Sequence, residues 1–307
     1  MAACPGVEAA LKVINDERLK IHASDAKEFI VTPSAATPPS IVVDAGAGAI
    51  MAIDRSTGAK RVVTSIENPS YIERILMTDR TLLISESINA NTVPQGFYRV
   101  ERSGTEPLVR LRRSASALTM DGEYVYGMDA QGPTRRFRAK ISDLEKETTE
   151  ILGESPLIEV VNDPLYRPYL TTKTAMYLST AQGPGGPTDI VRYQRTWDGE
   201  GKSISELGIR EAAINDESIF FIDTGTELKQ KIHGSAVTLT LVGNQLVKPD
   251  PLFADNQHVY FSTTDTLARV TMAGEATRIV NAIGTWAHQD AACIYARSTI
   301  YVAALAK

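Results

Sequence analysis

An all-β fold, a seven-bladed β-propeller of four-stranded antiparallel blades, is predicted for this chain by three features of its sequence. The first is a meander within 253–280. It holds Val259-Tyr260-Phe261, a polar turn at 263–266, an alternating run at 267–270, Ala273-Gly274 and a third run at 277–280. Short β-branched and aromatic runs joined by turn residues read as antiparallel strands. The second is recurrence. A central pair returns as Val42-Val43, Leu83-Ile84, Tyr126-Gly127, Tyr177-Leu178, Phe220-Phe221, Tyr260-Phe261 and Tyr295-Ala296. The spacing is roughly 42 residues, that of a four-stranded propeller blade. The third is length: seven such units nearly exhaust the 307 residues, so a single domain over 1–307 is expected.

Taken in order, residues 5–18 allow two readings. Val7, Ala10, Leu11 and Ile14 fit a helix, with Pro5 and Glu8 near its start. Leu11, Val13, Leu19 and Ile21 fit two strands turning at Asn15-Asp16. A short segment feeding a strand at 19–23 is preferred. Blade one then takes 29–32, 41–44, 49–54 and 60–63, and blade two takes 74–78, 82–85, 96–100 and 107–111. Blade three takes 117–120, 124–128, 135–141 and 149–152, and blade four takes 166–171, 175–179, 189–193 and 203–207. Blade five takes 211–214, 219–222, 227–232 and 236–241, and blade six is the 252–280 meander. Blade seven has only 286–289, 292–296 and 299–303. An open edge invites aggregation, so 1–24 is expected to supply the missing strand and close the ring, with the repeats filling 25–307.

Acidic turns precede several central strands: Asp121-Gly122, Asp216-Glu217, Asp255-Asn256, and Asp79 and Asp290 alone. They read as calcium ligands or as tight-turn residues, and turn chemistry is the simpler account.

Composition is ordinary for a globular protein, 43% hydrophobic and 22% charged, with a net charge of −5. The acidic balance and the lack of a basic tract argue against a nucleic-acid partner. No apolar run approaches the roughly 18 residues of a membrane span. Cys4 and Cys293 are the two cysteines. They are either unpaired thiols or a disulfide tying the N-terminus to the last blade, which implies an oxidising compartment. Met1-Ala2-Ala3-Cys4 also looks like the end of a bacterial lipoprotein signal.

Function is expected where the repeats differ. The second-to-third strand loops 86–95, 129–134 and 180–187 are long, as is the connection 153–164, and all belong to blades two to four. Long loops on a rigid scaffold carry binding. Asn89, Asn91, Gln95, Gln131, Gln182, Tyr166, Arg167 and Tyr169 offer amides, rings and a cation for a polar ligand such as a sugar or peptide. Trp286 joins them as a ligand-binding candidate. Gln131-Gly132-Pro133 and Gln182-Gly183-Pro184 repeat a tripeptide and indicate a shared turn shape.

Other motifs fail on context. Gly46-x-Gly48 follows an apolar run, but Met51 holds the third glycine position and a turn at 54–58 leaves no room for the helix that a dinucleotide site needs. His22, His233, His258 and His288 sit at no metal-ligand spacing, and His258 is expected to face solvent. His288, near Trp286 and Asp290, reads either as an acid or base or as a structural histidine.

By its D-x-x-x-V-Y-F run, L-x-R-V and glycine over 255–274, the chain resembles bacterial propeller-repeat proteins of the TolB-like and YVTN-like kind. The resemblance implies fold, an exported and bacterial setting, and often a binding or assembly role. Propellers of similar shape include lactonases, lyases and hydrolases. Trp-Asp and kelch signatures are absent, and no catalytic motif is carried over. Two functions follow. One is a noncatalytic, monomeric binding propeller, periplasmic, secreted or lipid-anchored, that takes a protein or glycan and needs no cofactor. The other is a lactonase-like hydrolase or lyase with calcium on the axis, near His288, Glu211, Arg167 and Trp286.

Overall fold

The computed structural model describes residues 3–33, 48–66, 72–86, 96–112, 116–129, 135–147, 158–159, 166–171, 175–180, 190–194, 202–203, 209–223, 226–233, 235–243, 247, 252–264, 266–280, 285–297 and 302–307. Between 158 and 203 it is the strand backbone that is described. The chain divides into two compact units, one of 4–164 with 290–292, the other of 165–289 with 1–3 and 293–307.

The first unit opens on helix α1 (Glu8–Asp16), whose Ala10 and Ile14 are buried together with Val7 just before it. The spacing of these three residues places them on one helical face. Three antiparallel sheets follow. The first is β1 (Leu19–Ser24), β2 (Glu28–Pro33), β3 (Ala49–Asp54) and β4 (Lys60–Ser65). The second is β5 (Ile72–Met77), β6 (Thr81–Glu86), β7 (Phe97–Glu101) and β8 (Val109–Arg112). The third is β9 (Ser116–Met120), β10 (Tyr124–Asp129), β11 (Arg135–Lys140) and, after the short helix α2 (Ile141–Leu144), β12 (Ile158–Glu159).

The second unit holds four more sheets. The fourth is β13 (Tyr166–Thr171), β14 (Ala175–Thr180), β15 (Ile190–Gln194) and β16 (Lys202–Ser203). The fifth is β17 (Ile209–Ile214), β18 (Ser218–Asp223), β19 (Leu228–Ile232) and β20 (Thr238–Val242). The sixth is β21 (Phe253–Ala254), β22 (His258–Ser262), β23 (Leu267–Thr271) and β24 (Ala276–Val280). The seventh has three strands, β25 (Thr285–Gln289), β26 (Cys293–Arg297) and β27 (Val302–Ala306). An isolated antiparallel bridge joins Ala3 to Leu305 of β27.

Strand periodicity builds the core. Alternate residues of a strand face opposite sides. In β6, Leu82 and Ile84 pack with Ile30, Ile50 and Ala52 of the first sheet, while Leu83 packs with Val125 and Phe137 of the third. In β22, Val259 and Phe261 pack with Phe220 and Ile222 of the fifth sheet, and Tyr260 packs with Ile294 and Ala296 of the seventh. Second strands such as β6, β18 and β22 are buried on both faces, so they read as unbroken apolar runs.

Sheet one departs from the sequence reading. Residues 19–24 are its first strand, paired with β2, and not a closing strand for the last sheet. The run 41–44, read as the second strand, lies outside the described residues, and the sheet has four strands without it. The β2–β3 connection is therefore 34–48, far longer than the 45–48 loop expected. Period alone cannot identify a strand's partner, so the apolar Ile41-Val42-Val43 was assigned to the sheet by pattern alone. The Gly46-x-Gly48 stretch leads into strand β3, not a helix. In sheet three, 149–152 also lies outside the described residues, and the fourth strand is β12, paired with β11.

Both cysteines are disulfide-bonded, and Cys4 is buried. A disulfide sulfur is not available for the thioether that the lipoprotein reading of Cys4 requires.

Phe97 is fully buried, with its ring 6.1 Å from that of Phe137. Phe97→Ala is expected to cost about 3–5 kcal/mol in urea denaturation. Val62→Ala, at a site 62% exposed, should stay within about 0.5 kcal/mol of the parent. Cys293→Ser should lower stability by about 2–4 kcal/mol.

Candidate functional site

The turns before β2, β6, β10, β18, β22 and β26 share one hydrogen-bonding plan. Asp25, Asp121 and Asp255 each accept, through Oδ1, the backbone N–H groups two and three residues on, at 2.8–3.0 Å. Asn215 does the same through its amide oxygen and Thr78 through its hydroxyl. Asp290 accepts from Ala292. These are Asx and Ser/Thr turns, in which a short side chain mimics a backbone acceptor. The sequence reading placed two of them one residue late, at Asp79 and Asp216, because it looked for acids where Thr78 and Asn215 do the same work.

The second carboxylate oxygen of some of these turns reaches further. Tyr126 and Tyr260, five residues beyond Asp121 and Asp255, donate their hydroxyls to Oδ2 at 2.7 and 3.0 Å. Asp290 Oδ2 accepts from Arg55 at 2.5 Å and Ser24 at 3.1 Å. Asp25 pairs with Arg102, which also bonds Glu28. Burial pushes the Asp255 carboxyl up, but the N–H groups of Gln257 and His258, the Tyr260 hydroxyl and Lys307 outweigh it and hold it below its ordinary value. Asp25 is lowered likewise, burial being overcome by the Glu28 and Lys27 N–H groups and by Arg102. Among the described residues, no group of three or more His, Cys, Asp or Glu side chains is arranged to hold a metal ion.

Asn89, Asn91, Gln95, Gln131 and Gln182 lie outside the described residues. Tyr166, Arg167 and Tyr169 fall on β13 and Trp286 on β25, each the first strand of its sheet. His288, on β25, is half-buried with its ring 5.8 Å from Tyr295. Glu211, on β17, accepts from the adjacent Ala212 N–H at 3.2 Å. His258 is only partly exposed, its side chain at 15%, because it packs near Tyr260 with its ring centroid 6.0 Å away.

A group that the sequence reading passed over stands at the end of β6. Glu86 is 3% exposed, and the Tyr98 hydroxyl donates to its Oε2 at 3.0 Å. Arg110 of β8 lies 6.0 Å from the Tyr98 ring centroid. Gly96 makes the contact possible: a Cβ there would lie 2.0 Å from Cε2 and 2.2 Å from the hydroxyl of Tyr98. Burial pushes the Glu86 carboxyl up against the opposing pull of Tyr98, Arg110 and the Gly96 N–H. Burial and the Glu86 charge push the Tyr98 hydroxyl up to about 12.

The same strand position in the fifth sheet is Asp223, 2% exposed. Both acids end a second strand and donate their own N–H to the carbonyl just before the third, Gly96 for Glu86 and Glu227 for Asp223. The residue two places into the third strand differs, Tyr98 in one case and Lys229 in the other. Lys229 forms an ion pair with Asp223 and lies 3.3 Å from Glu227. An acid closing an apolar strand, with glycine and tyrosine after the following loop, is the sequence signal that would have found Glu86.

Two measurements test these assignments. Asp255→Ala should cost about 1–3 kcal/mol at pH 7, because a buried hydroxyl and two N–H groups lose a charged acceptor. The carboxyls of Asp25 and Asp255 are lowered on folding. Their stabilisation is thus fully present above about pH 4 and is lost as pH falls through the folded values. Asp255→Ala should therefore flatten acid unfolding below pH 4. Glu86 has the opposite sign: its charge destabilises the folded state above its ordinary titration range. Glu86→Gln should melt at or above the parent at pH 7, with the difference shrinking toward pH 4.

No protein-family model matches the chain, and no curated protein matches it in sequence. Solved structures do. BamB from Moraxella catarrhalis is similar over 93% of this chain and 80% of its own, at 11% identity and a TM-score of 0.52. The β-propeller domain of the trilobed protease from Pyrococcus furiosus, described as having an open velcro topology, matches over 93% of both chains at 10% identity and a TM-score of 0.59. A puromycin hydrolase matches over 99% of this chain and 54% of its own, at 16% identity and a TM-score of 0.60. At such identities the likeness concerns architecture alone. The antiparallel sheets and these neighbours together give the chain the β-propeller fold, with a fold-level resemblance to bacterial propeller-repeat proteins.

Proposed function

We propose that this chain is an extracytoplasmic binding propeller, monomeric and noncatalytic. It holds a polar ligand or a partner protein on the loops that join second to third strands. The observation that carries this reading is Glu86, a buried carboxylate fixed by a rigid strand at the root of such a loop. Buried ionisable groups whose titration is shifted are candidates for functional sites. The connections 87–96 and 181–189 after β6 and β14 are long, as is 34–48 after β2. Those after β18 and β22 are short. Asn89, Asn91, Gln95, Gln131, Gln182, Tyr166, Arg167, Tyr169 and Trp286 remain the proposed contacts.

Seven blades are proposed, with the last completed by the extreme N-terminus and not by 19–24. The Ala3–Leu305 bridge supports this. The disulfide-bonded cysteines support an oxidising compartment, and BamB is among the similar structures. Among the described residues, no helix is long and apolar enough to cross a membrane.

A thermal-shift screen of the whole chain, with and without EDTA and across divalent cations and neutral and acidic glycans, tests the reading. Binding to the native state raises apparent stability by about 2.7 kcal/mol at a hundredfold excess over Kd. A shift with one glycan class, or capture of a partner protein that loop substitutions abolish, is expected. A drop in EDTA restored by calcium, with hydrolysis lost in His288→Ala or Glu211→Gln, would replace it with the metal-dependent enzyme.

A further inference from the structure

We propose that the outer edge of β20 takes up an extended strand of a partner protein, one whose residues alternate between apolar and acidic, as a fifth strand of the fifth sheet. This surface is independent of the loop site proposed above and stands or falls by itself.

Three observations lead to it. The first is an unguarded edge. β20 is the last strand of its sheet and pairs with β19 on one side only. Such an edge is a template for pairing with another chain, and proteins ordinarily blunt it with charge or proline. Most other last strands are blunted in this way, by Lys60 in β4, Arg110 in β8, Glu159 in β12, Lys202 in β16 and Arg278 in β24. The uncharged β27 has Ala3 bridged to it. In the fifth sheet the run 236–242, Ala-Val-Thr-Leu-Thr-Leu-Val, holds neither charge nor proline, and residues 236–240 are all exposed.

The second is an apolar patch on one face of that edge. Of the four large apolar side chains exposed among the described residues, three are here: Ile232, Val237 and Leu239, at 54%, 62% and 51%. Leu239 pairs with Gln230, and Ile232 lies two residues beyond Gln230 on β19. Alternation therefore puts Leu239 and Ile232 on one face, and Val237, two residues before Leu239, joins them. Further in, the same face carries Phe220, the partner of Gln230, which is part of the core between the fifth and sixth sheets. The patch thus continues a buried interface out to the end of the sheet. Contiguous exposed apolar surface of this kind marks an interaction site.

The third is the charge of the opposite face. Lys231 pairs with Thr238 and Lys229 with Thr240, and neither β19 nor β20 contains an acid. Lys229 is held by Asp223 and Glu227. Lys231 stands at the other end, beside the exposed part of the edge, and Thr238 is short enough for a lysine to reach across it. An added strand therefore meets apolar side chains on one face and a cation with hydroxyls on the other. Residues that alternate between apolar and acidic complement both. Main-chain hydrogen bonds supply affinity in strand addition, and the alternate side chains supply specificity. A second copy of β20 offers no acid and brings its own lysines to the basic face, so it complements the edge less well.

The test titrates the full chain, by calorimetry, with a short peptide alternating valine and glutamate and with its valine–lysine counterpart. The parent is expected to bind the glutamate peptide in preference, with amide hydrogen exchange slowed across 237–241. Leu239→Lys should weaken binding roughly tenfold or more, because the added strand would cover an unpaired charge, while melting with the parent because the site is exposed. Lys231→Glu should move the preference toward the lysine peptide. Val62→Lys, at an exposed site on the last strand of the first sheet, should bind like the parent. No binding of the glutamate peptide, equal binding of the two peptides, or binding that Leu239→Lys leaves unchanged would overturn the proposal. A dimer in sedimentation that Leu239→Lys dissolves would give the edge to a second copy and overturn it as well.

Discussion

Burial of second strands such as β6, β18 and β22 on both of their faces is the constraint on which the rest of the structure depends. A four-stranded meander has two faces and no means of covering either alone. In β6, Leu82 and Ile84 go to one neighbouring sheet and Leu83 to the other. In β22, Val259 and Phe261 go one way and Tyr260 the other. Each buried side chain of this size contributes about 1.5–3 kcal/mol, and only when both neighbours are present. Stability in such an array is a sum of interfaces between repeats.

That constraint explains the turns. A strand packed on two sides must enter its sheet in a fixed register, because a slip of one residue would exchange its faces. The Asx and Ser/Thr turns at 25, 78, 121, 215, 255 and 290 set the entry. The tyrosines five residues on tie strand to turn at Asp121 and Asp255. Elsewhere the acidic oxygens are engaged by arginines, as at Asp25 and Asp290. Of the aspartates that suggested metal ligands, Asp121, Asp255 and Asp290 are thus occupied in placing strands. Their lowered titration, where it occurs, reports N–H groups and cations already bonded to them.

Glu86 stands apart from this economy. Its strand position is dictated by the repeat, as the matching position of Asp223 shows, but burial outweighs the pull of Tyr98, Arg110 and the Gly96 N–H on its carboxyl. A scaffold tolerates such a residue because the strand holding it is over-determined by two cores. The same rigidity lets a short constellation of carboxylate, hydroxyl and guanidinium keep its geometry at the root of a long connection.

Much of the fold was legible in the sequence. The period of the apolar pairs, the turn residues and the alternation within 253–280 determined antiparallel meanders, and β5 through β11 and β17 through β26 fall near their expected places. Residues 19–24 were recognised as a strand and misassigned in role, since alternation reports which faces are buried and is silent on which strand lies beside. For the same reason Ile41-Val42-Val43 was assigned to sheet one, which has four strands without it. The helix at 8–16 was one of two readings with equal periodicity, and burial of Val7, Ala10 and Ile14 decided it. The candidate site was the least legible. Asn89, Gln131 and their companions were chosen by loop length, a property of one dimension. Glu86, Tyr98 and Arg110 meet only after β6, β7 and β8 pair, and the space that Gly96 leaves exists only in three dimensions. Sequence alone determined the repeat and its strand chemistry, because both are local. Tertiary structure decided which strand completes which sheet and which acid is buried, because both depend on neighbours distant in the chain.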